Sequence, residues 1–175
     1  TTEIYTLSLH DALPIFADGA AALVGSGAPR HADDEPWRVA AQGTLLLPNS
    51  SDAMTWKVGD HGFRMTLSAG VPSLIESQVG KWLTEWLAGH DLRMEDIRSW
   101  AVHPGGPRVL TAFGASVGLD RSELTVSREI LSEYGNMSSA TLLFIIERLR
   151  SAGAETPCVA IAFGPGLVAE VALIL

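Results

Sequence analysis

Three short segments carry side chains suited to chemistry, and each stands at the end of an apolar stretch. His103-Pro104-Gly105-Gly106-Pro107 places an imidazole at the C-terminal end of a short strand pattern, followed by glycines that let a substrate approach the backbone closely. Gly135-Asn136-Met137-Ser138-Ser139-Ala140 places a carboxamide in a glycine turn. Phe163-Gly164-Pro165-Gly166 joins two apolar runs. An imidazole N–H and a carboxamide N–H₂ both donate hydrogen bonds. Taken singly, each has a plain structural reading. His103 can be a structural or merely exposed histidine, Asn136 can cap the next helix, and residues 163–166 can be a hairpin turn. The single cysteine lies in Thr156-Pro157-Cys158-Val159-Ala160. At the start of an apolar strand it reads as a small hydrophobe rather than a nucleophile.

The elements that must position these segments follow from periodicity and breakers. Residues 16–25 are small and apolar and predict a strand, and residues 26–36 predict a polar loop. Residues 44–47 predict a strand and residues 48–51 a turn. Residues 54–58 and 63–68 predict two short strands or a hairpin around Gly59-Asp60-His61-Gly62. Ser73-Leu74-Ile75-Glu76 has capping-box spacing. Leu74, Ile75, Val79, Trp82, Leu83, Trp86 and Leu87 then share one helical face, which puts both tryptophans in the core, and Gly89 ends the helix. Residues 97–102 predict a strand that delivers His103. Pro107 suits the first turn of a helix reaching about Val117. Residues 122–134 and 137–152 predict two further helices, the second with Leu142, Leu143, Ile145, Ile146 and Leu149 on one stripe. Residues 158–163 and 167–175 predict the closing strands. Strands alternating with helices argue for layered α/β architecture.

Composition narrows the function classes. The chain has 175 residues, of which 47 % are hydrophobic and 18 % charged, the mixture of one globular domain. Twenty acidic against twelve basic residues give a formal charge of −8, unsuited to binding a phosphate backbone, so no nucleic-acid partner is expected. One cysteine supports neither a disulfide framework nor a cysteine-based zinc site. No apolar run approaches the roughly 20 residues of a membrane span, so no membrane partner is expected. Mean hydropathy is +0.21, which points to apolar surface meant for a partner or to a well-buried fold. Residues 1–15 lack the basic start and cleavage site of a targeting signal. They resemble the translation of a sequencing-adapter read-through and are expected to be a non-native or disordered segment, with the domain proper over 16–175.

In this order, Trp-Ala-Val-His-Pro-Gly-Gly-Pro (100–107), Leu-Ser-Glu-Tyr-Gly-Asn-Met-Ser-Ser-Ala (131–140) and Phe-Gly-Pro-Gly-Leu (163–167) resemble the C-terminal half of type III polyketide synthases, the chalcone and stilbene synthase family. Asp18-Gly19-Ala20-Ala21-Ala22 resembles the family's strand that begins the second thiolase-like half, so the likeness runs from about Phe16 to Leu175. It implies the C-terminal half of a thiolase-like fold, a layered α/β structure with a central mixed sheet. It also implies a decarboxylative Claisen condensation of malonyl-CoA onto a starter acyl-CoA. In the family a histidine and an asparagine polarise the malonyl thioester carbonyl, and His103 and Asn136 match them. Donors aimed at a developing enolate oxygen are worth roughly 10²–10³ in rate each. His103 could also hold a cysteine as thiolate by ion pairing.

The family's nucleophilic cysteine belongs upstream of Asp18, so this chain is expected to be inactive alone. By spacing from Val71-Pro72, Met65 matches a gatekeeper position and Trp56 a cavity-lining position where plant chalcone synthases carry a small residue. Both are equally readable as core residues. Ser138 either lines the same cavity or begins a helix. Gly105, Gly106, Phe163, Gly164, Pro165 and Gly166 complete the expected substrate-binding set. A bulky Trp56 implies a smaller cavity and a product other than a chalcone, in a bacterial member of the family. No prosthetic group or metal is expected. Malonyl-CoA and a starter acyl-CoA are the expected partners, with a homodimeric parent in the cytoplasm. Two alternatives stand beside this: a ketoacyl synthase III-like enzyme of fatty-acid initiation, and a non-catalytic half-domain used for dimerisation or binding.

Overall fold

The computed structural model describes residues 4–7, 15–27, 37–60 and 62–175. Most of the segment 1–15, with its expectation of non-native sequence, lies outside these residues, as do most of the polar loop 26–36 and His61. The elements are β1 (Ile4–Leu7), β2 (Val39–Leu46), β3 (Met54–Gly59), β4 (Gly62–Ser68), α1 (Val71–Ala88), β5 (Ser99–Val102), α2 (Pro107–Val117), α3 (Thr125–Tyr134), α4 (Ser139–Ser151), β6 (Cys158–Gly164) and β7 (Val168–Ile174).

Four strands form the central sheet in the order β2-β7-β6-β5. The β2–β7 and β6–β7 pairs are antiparallel, and β5–β6 is parallel with Ser99 opposite Cys158 and Val102 opposite Ile161. The sheet is therefore mixed. Alternation along a strand sends neighbouring side chains to opposite faces. Trp100, Val102, Val159, Ile161, Val171 and Leu173 enter one core with Ile75, Val79 and Leu83 of α1 and Leu110 and Phe113 of α2. Ala101, Cys158, Ala160 and Ile174 enter a second core with Ile130 of α3 and Ile145 and Leu149 of α4. Helices thus cover both faces, the arrangement that a sheet apolar on both sides requires. The helices α1 and α2 cross at Gly80, where a Cβ would lie 1.8 Å from the Ser116 carbonyl oxygen, so only glycine permits this approach. A separate antiparallel sheet has the order β1-β4-β3.

Several sequence expectations are corrected. Residues 16–25 are not a strand: only Phe16 bridges, to Asn136, and the rest runs without pairing, with Leu23 and Val24 exposed. Alanine and glycine are weak strand formers, and among the described residues no neighbour offers this segment a ladder. The capping box at Ser73–Glu76 does not form. The helix starts earlier, at Val71, with Gly70 at the cap and Pro72 in the first turn, where the missing N–H costs nothing. The Gly70 N–H instead donates to Ser68 Oγ at 3.1 Å. The last helix begins at Ser139 rather than Met137, because the N–H groups of Met137 and Ser138 donate to Thr141 Oγ1 and Asn136 Oδ1. The helix expected over 122–134 opens as a 3₁₀ turn over Arg121–Leu124. The hairpin at 54–68 and α2 form as expected. Among the described residues no helix is long and apolar enough to cross a membrane.

Candidate active site

The strands β5 and β6 run parallel, so their C-terminal ends lie on the same side of the sheet. His103 follows β5, and Phe163 and Gly164 end β6. Such strand ends are the common ligand-binding edge of α/β sheets. The His103 N–H donates to Ile161 O at 2.8 Å, which extends the ladder by one bond and fixes the imidazole's root. The chain then turns tightly, with Gly105 N–H donating to His103 O at 3.1 Å, and enters α2 at Pro107. A Cβ on Gly105 or Gly106 would meet Val109 Cγ2 at 3.5 Å or Ile15 Cδ1 at 3.4 Å, ordinary packing distances, so both glycines lie against neighbouring side chains.

Asn136 arrives from the opposite helical layer. α3 ends at Gly135, whose φ of +73° suits a residue without a Cβ. The Asn136 backbone is gripped on both sides: its N–H donates to Ile15 O at 2.5 Å, and its carbonyl accepts from Ala17 N–H at 3.0 Å. Its Oδ1 accepts from Ser138 N–H at 2.9 Å. That bond settles the orientation of the carboxamide and leaves Nδ2 as the free donor end. Nδ2 reaches Gly105 O at 3.4 Å, a long bond that joins the asparagine turn to the histidine turn. Ser138 has φ +57°, an uncommon conformation for a non-glycine residue, and Thr141 Oγ1 accepting from Met137 N–H at 2.8 Å helps hold the turn there.

His103 is 8 % exposed and Asn136 5 %. His103 Nδ1 is buried without a hydrogen-bond partner. Burial pushes the imidazole pKa down to about 4, because a cation in that site loses its water. At neutral pH the ring is therefore uncharged, able to donate from one nitrogen and accept at the other. It is not a standing imidazolium, so the thiolate ion pair expected from the sequence would need an anion brought against it.

Of the expected set, His103, Gly105, Asn136 and Ser138 come together, and Gly106 borders the same turn. The turn at Gly164, Pro165 and Gly166 shares the sheet end but is stitched elsewhere. Leu167 N–H donates to Ser50 Oγ at 2.8 Å, and Leu47 N–H donates to Leu167 O at 2.9 Å. Phe163 is half-buried, with its ring 6.5 Å from that of Phe113. Met65 and Trp56 are cross-strand partners on the separate sheet, Met65 6 % exposed and Trp56 44 %. Burial pushes the Cys158 thiol up, opposite to what a nucleophilic thiolate needs, in keeping with its reading as a small hydrophobe. A groove of about 580 Å³ lies apart from His103 and Asn136, between Ala20–Leu23 and the Phe144, Ile146 and Arg150 side of α4. Among the described residues no three metal-ligating side chains cluster.

Sequence reasoning missed two contributors to the site. The Ile15–Ala17 segment has no signal beyond its apolar character. Ser127 is fully buried and accepts a hydrogen bond from Val102 N–H at 3.2 Å. Its signal was a lone hydroxyl on the helical stripe shared by Leu124 and Ile130.

Residues 38–175 match the family described as chalcone and stilbene synthases, C-terminal domain. The chain is 37 % identical over 164 residues to 1,3,6,8-tetrahydroxynaphthalene synthase of Streptomyces peucetius subsp. caesius, with 91 % of this chain and 44 % of that protein covered. It is 35 % identical over 162 residues to the alpha-pyrone synthesis polyketide synthase-like Pks18 of Mycobacterium tuberculosis, covering 89 % of this chain and 41 % of that protein. The crystal structure of PKS-I from the brown alga Ectocarpus siliculosus superposes with a TM-score of 0.75 at 28 % identity, over 79 % of this chain and 39 % of that one. The chain thus spans less than half the length of the curated relatives it matches. The mixed sheet with a helical layer on each face is the C-terminal half of a thiolase-like fold, and the chain belongs to the chalcone and stilbene synthase family of type III polyketide synthases.

Proposed function

We propose that this chain supplies the carbonyl-polarising part of a type III polyketide synthase, which condenses malonyl-CoA onto a starter acyl-CoA. The observation that carries the reading is the meeting of the two turns: Asn136 Nδ2 lies 3.4 Å from the carbonyl of Gly105, two residues after His103. A donor pair held there suits a malonyl thioester oxygen. When the malonyl carboxylate leaves as CO₂, its bonding electrons pass into the thioester, and the oxygen becomes an enolate. The His103 imidazole N–H and Asn136 Nδ2–H donate to that oxygen as its charge grows. Both donors sit in low-dielectric surroundings, where such bonds are strongest. The enolate carbon then attacks an acyl thioester, and the thiolate that carried the acyl group leaves. Cys158 is buried and does not fit that role, so the thiolate comes from outside these residues. No prosthetic group is needed, because the CoA thioester activates its own α-carbon.

The test joins this chain to a cysteine-bearing N-terminal half from a relative and measures CO₂ release from malonyl-CoA with a panel of starter thioesters. His103→Ala and Asn136→Ala are each expected to slow decarboxylation by roughly 10²–10³. Decarboxylation unchanged in both variants overturns the assigned roles.

A further inference from the structure

We propose that Ser127 is a positioning residue that sets the alignment of His103 relative to Asn136. Among the described residues β5 is the edge strand of the central sheet, paired with β6 alone. In such a strand alternate N–H groups point away from the sheet. The His103 N–H points to β6 and donates to Ile161 O, so the preceding Val102 N–H points off the open edge. Val102 is fully buried, and a buried N–H left alone costs about 1–3 kcal/mol. Ser127 Oγ, itself fully buried, takes that N–H at 3.2 Å.

The consequence lies in what each partner carries. Val102 is the residue before His103. Ser127 lies on α3, the helix that ends at Gly135 and hands the chain to Asn136. One hydroxyl therefore ties the root of the imidazole to the helix that carries the carboxamide. Among the described residues the polar tie that joins the two turns directly is the long bond from Asn136 Nδ2 to Gly105 O, whose donor the substrate would claim. Ser127 holds the alignment without using a group that the reaction needs. The inference deepens the proposed reaction and rests on it for its catalytic meaning.

The test uses NMR and amide hydrogen exchange on the full chain without substrate. In the wild type the Val102 amide is expected to be protected like the ladder-bonded His103 amide. Ser127→Ala is expected to speed Val102 exchange about tenfold and to shift the His103 imidazole ¹⁵N and Asn136 side-chain amide signals. Ser127→Cys keeps the bulk but accepts poorly, and is expected to act in the same direction if the alanine variant does not fold. Val79→Ala, a core deletion in α1, is expected to lower stability without moving those two signals. A Val102 amide that exchanges freely in the wild type overturns the proposal. So do unmoved His103 and Asn136 signals in the Ser127 variants, or equal movement in Val79→Ala. Because the signals are read without substrate, this failure is distinct from a failed condensation assay.

Discussion

Around His103 and Asn136 the backbone is held by hydrogen bonds from several directions, whereas the β3–β4 hairpin that carries Trp56 and Met65 is held by strand ladders, β4 pairing with both β3 and β1. In the first region Ser127, Thr141 and the Asn136 side chain each take a backbone N–H, and residues 15–17 grip Asn136 from outside. In the second, Thr55 and Thr66 hydroxyls bond across the strands at 2.5 Å, and the Met65–Trp56 pair has one buried and one half-exposed member. The difference separates two tasks. Donors for a developing charge need fixed geometry. The hairpin side chains are placed by strand pairing, so that region can vary without disturbing the bonds around His103 and Asn136.

This contrast can be broken at several points. The largest effect is expected from Gly80→Ala, where α1 crosses the C-terminal end of α2. The new methyl collides with the Ser116 carbonyl, and urea unfolding is expected to show a loss of about 3 kcal/mol or more. Met65→Ala removes a buried side chain from the hairpin and is expected to cost about 2–3 kcal/mol in the same measurement. His103→Gln tests the polar region by pH. The folded chain holds this imidazole neutral down to about pH 4, whereas the unfolded chain protonates it near 6.5. The unfolded state thus binds more protons between those values, so stability is highest above pH 6.5 and falls as pH drops toward 4. Between pH 7 and 4.5 the wild type is expected to lose roughly 2 kcal/mol more than His103→Gln. The smallest effect is expected from Trp56→Ser, under about 1 kcal/mol, because the ring is 44 % exposed. A Trp56→Ser cost equal to that of Met65→Ala would erase the distinction within the pair.

Much of the architecture was legible because periodicity records burial. The stripe from Leu74 to Leu87 marks α1, and the apolar runs at 158–163 and 167–175 mark the two strands that form the centre of the mixed sheet. The positions of the two proposed donors were legible by type and neighbourhood, His103 at a strand end and Asn136 in a glycine turn. What failed depended on partners distant in sequence. Residues 16–25 look like a strand, but pairing needs a neighbour, which local composition does not record. Ser73 looks like a cap, but Pro72 moves the helix start ahead of it. Met137 and Ser138 look helical, but side chains of the same turn capture their N–H groups. Ser127 escaped notice because its partner lies 25 residues earlier, across the sheet edge.

The bridge from residues 15–17 to Asn136 makes the asparagine turn answerable to a stretch outside the family-matched domain. Trimming the chain to residues 38–175 would keep the buried residues of both cores and every described helix, yet remove β1 and Trp37 and strip the outer brace from the carboxamide. The cores and the asparagine turn therefore draw on different lengths of chain, and engineers who graft this half onto a foreign partner should carry the brace along with it.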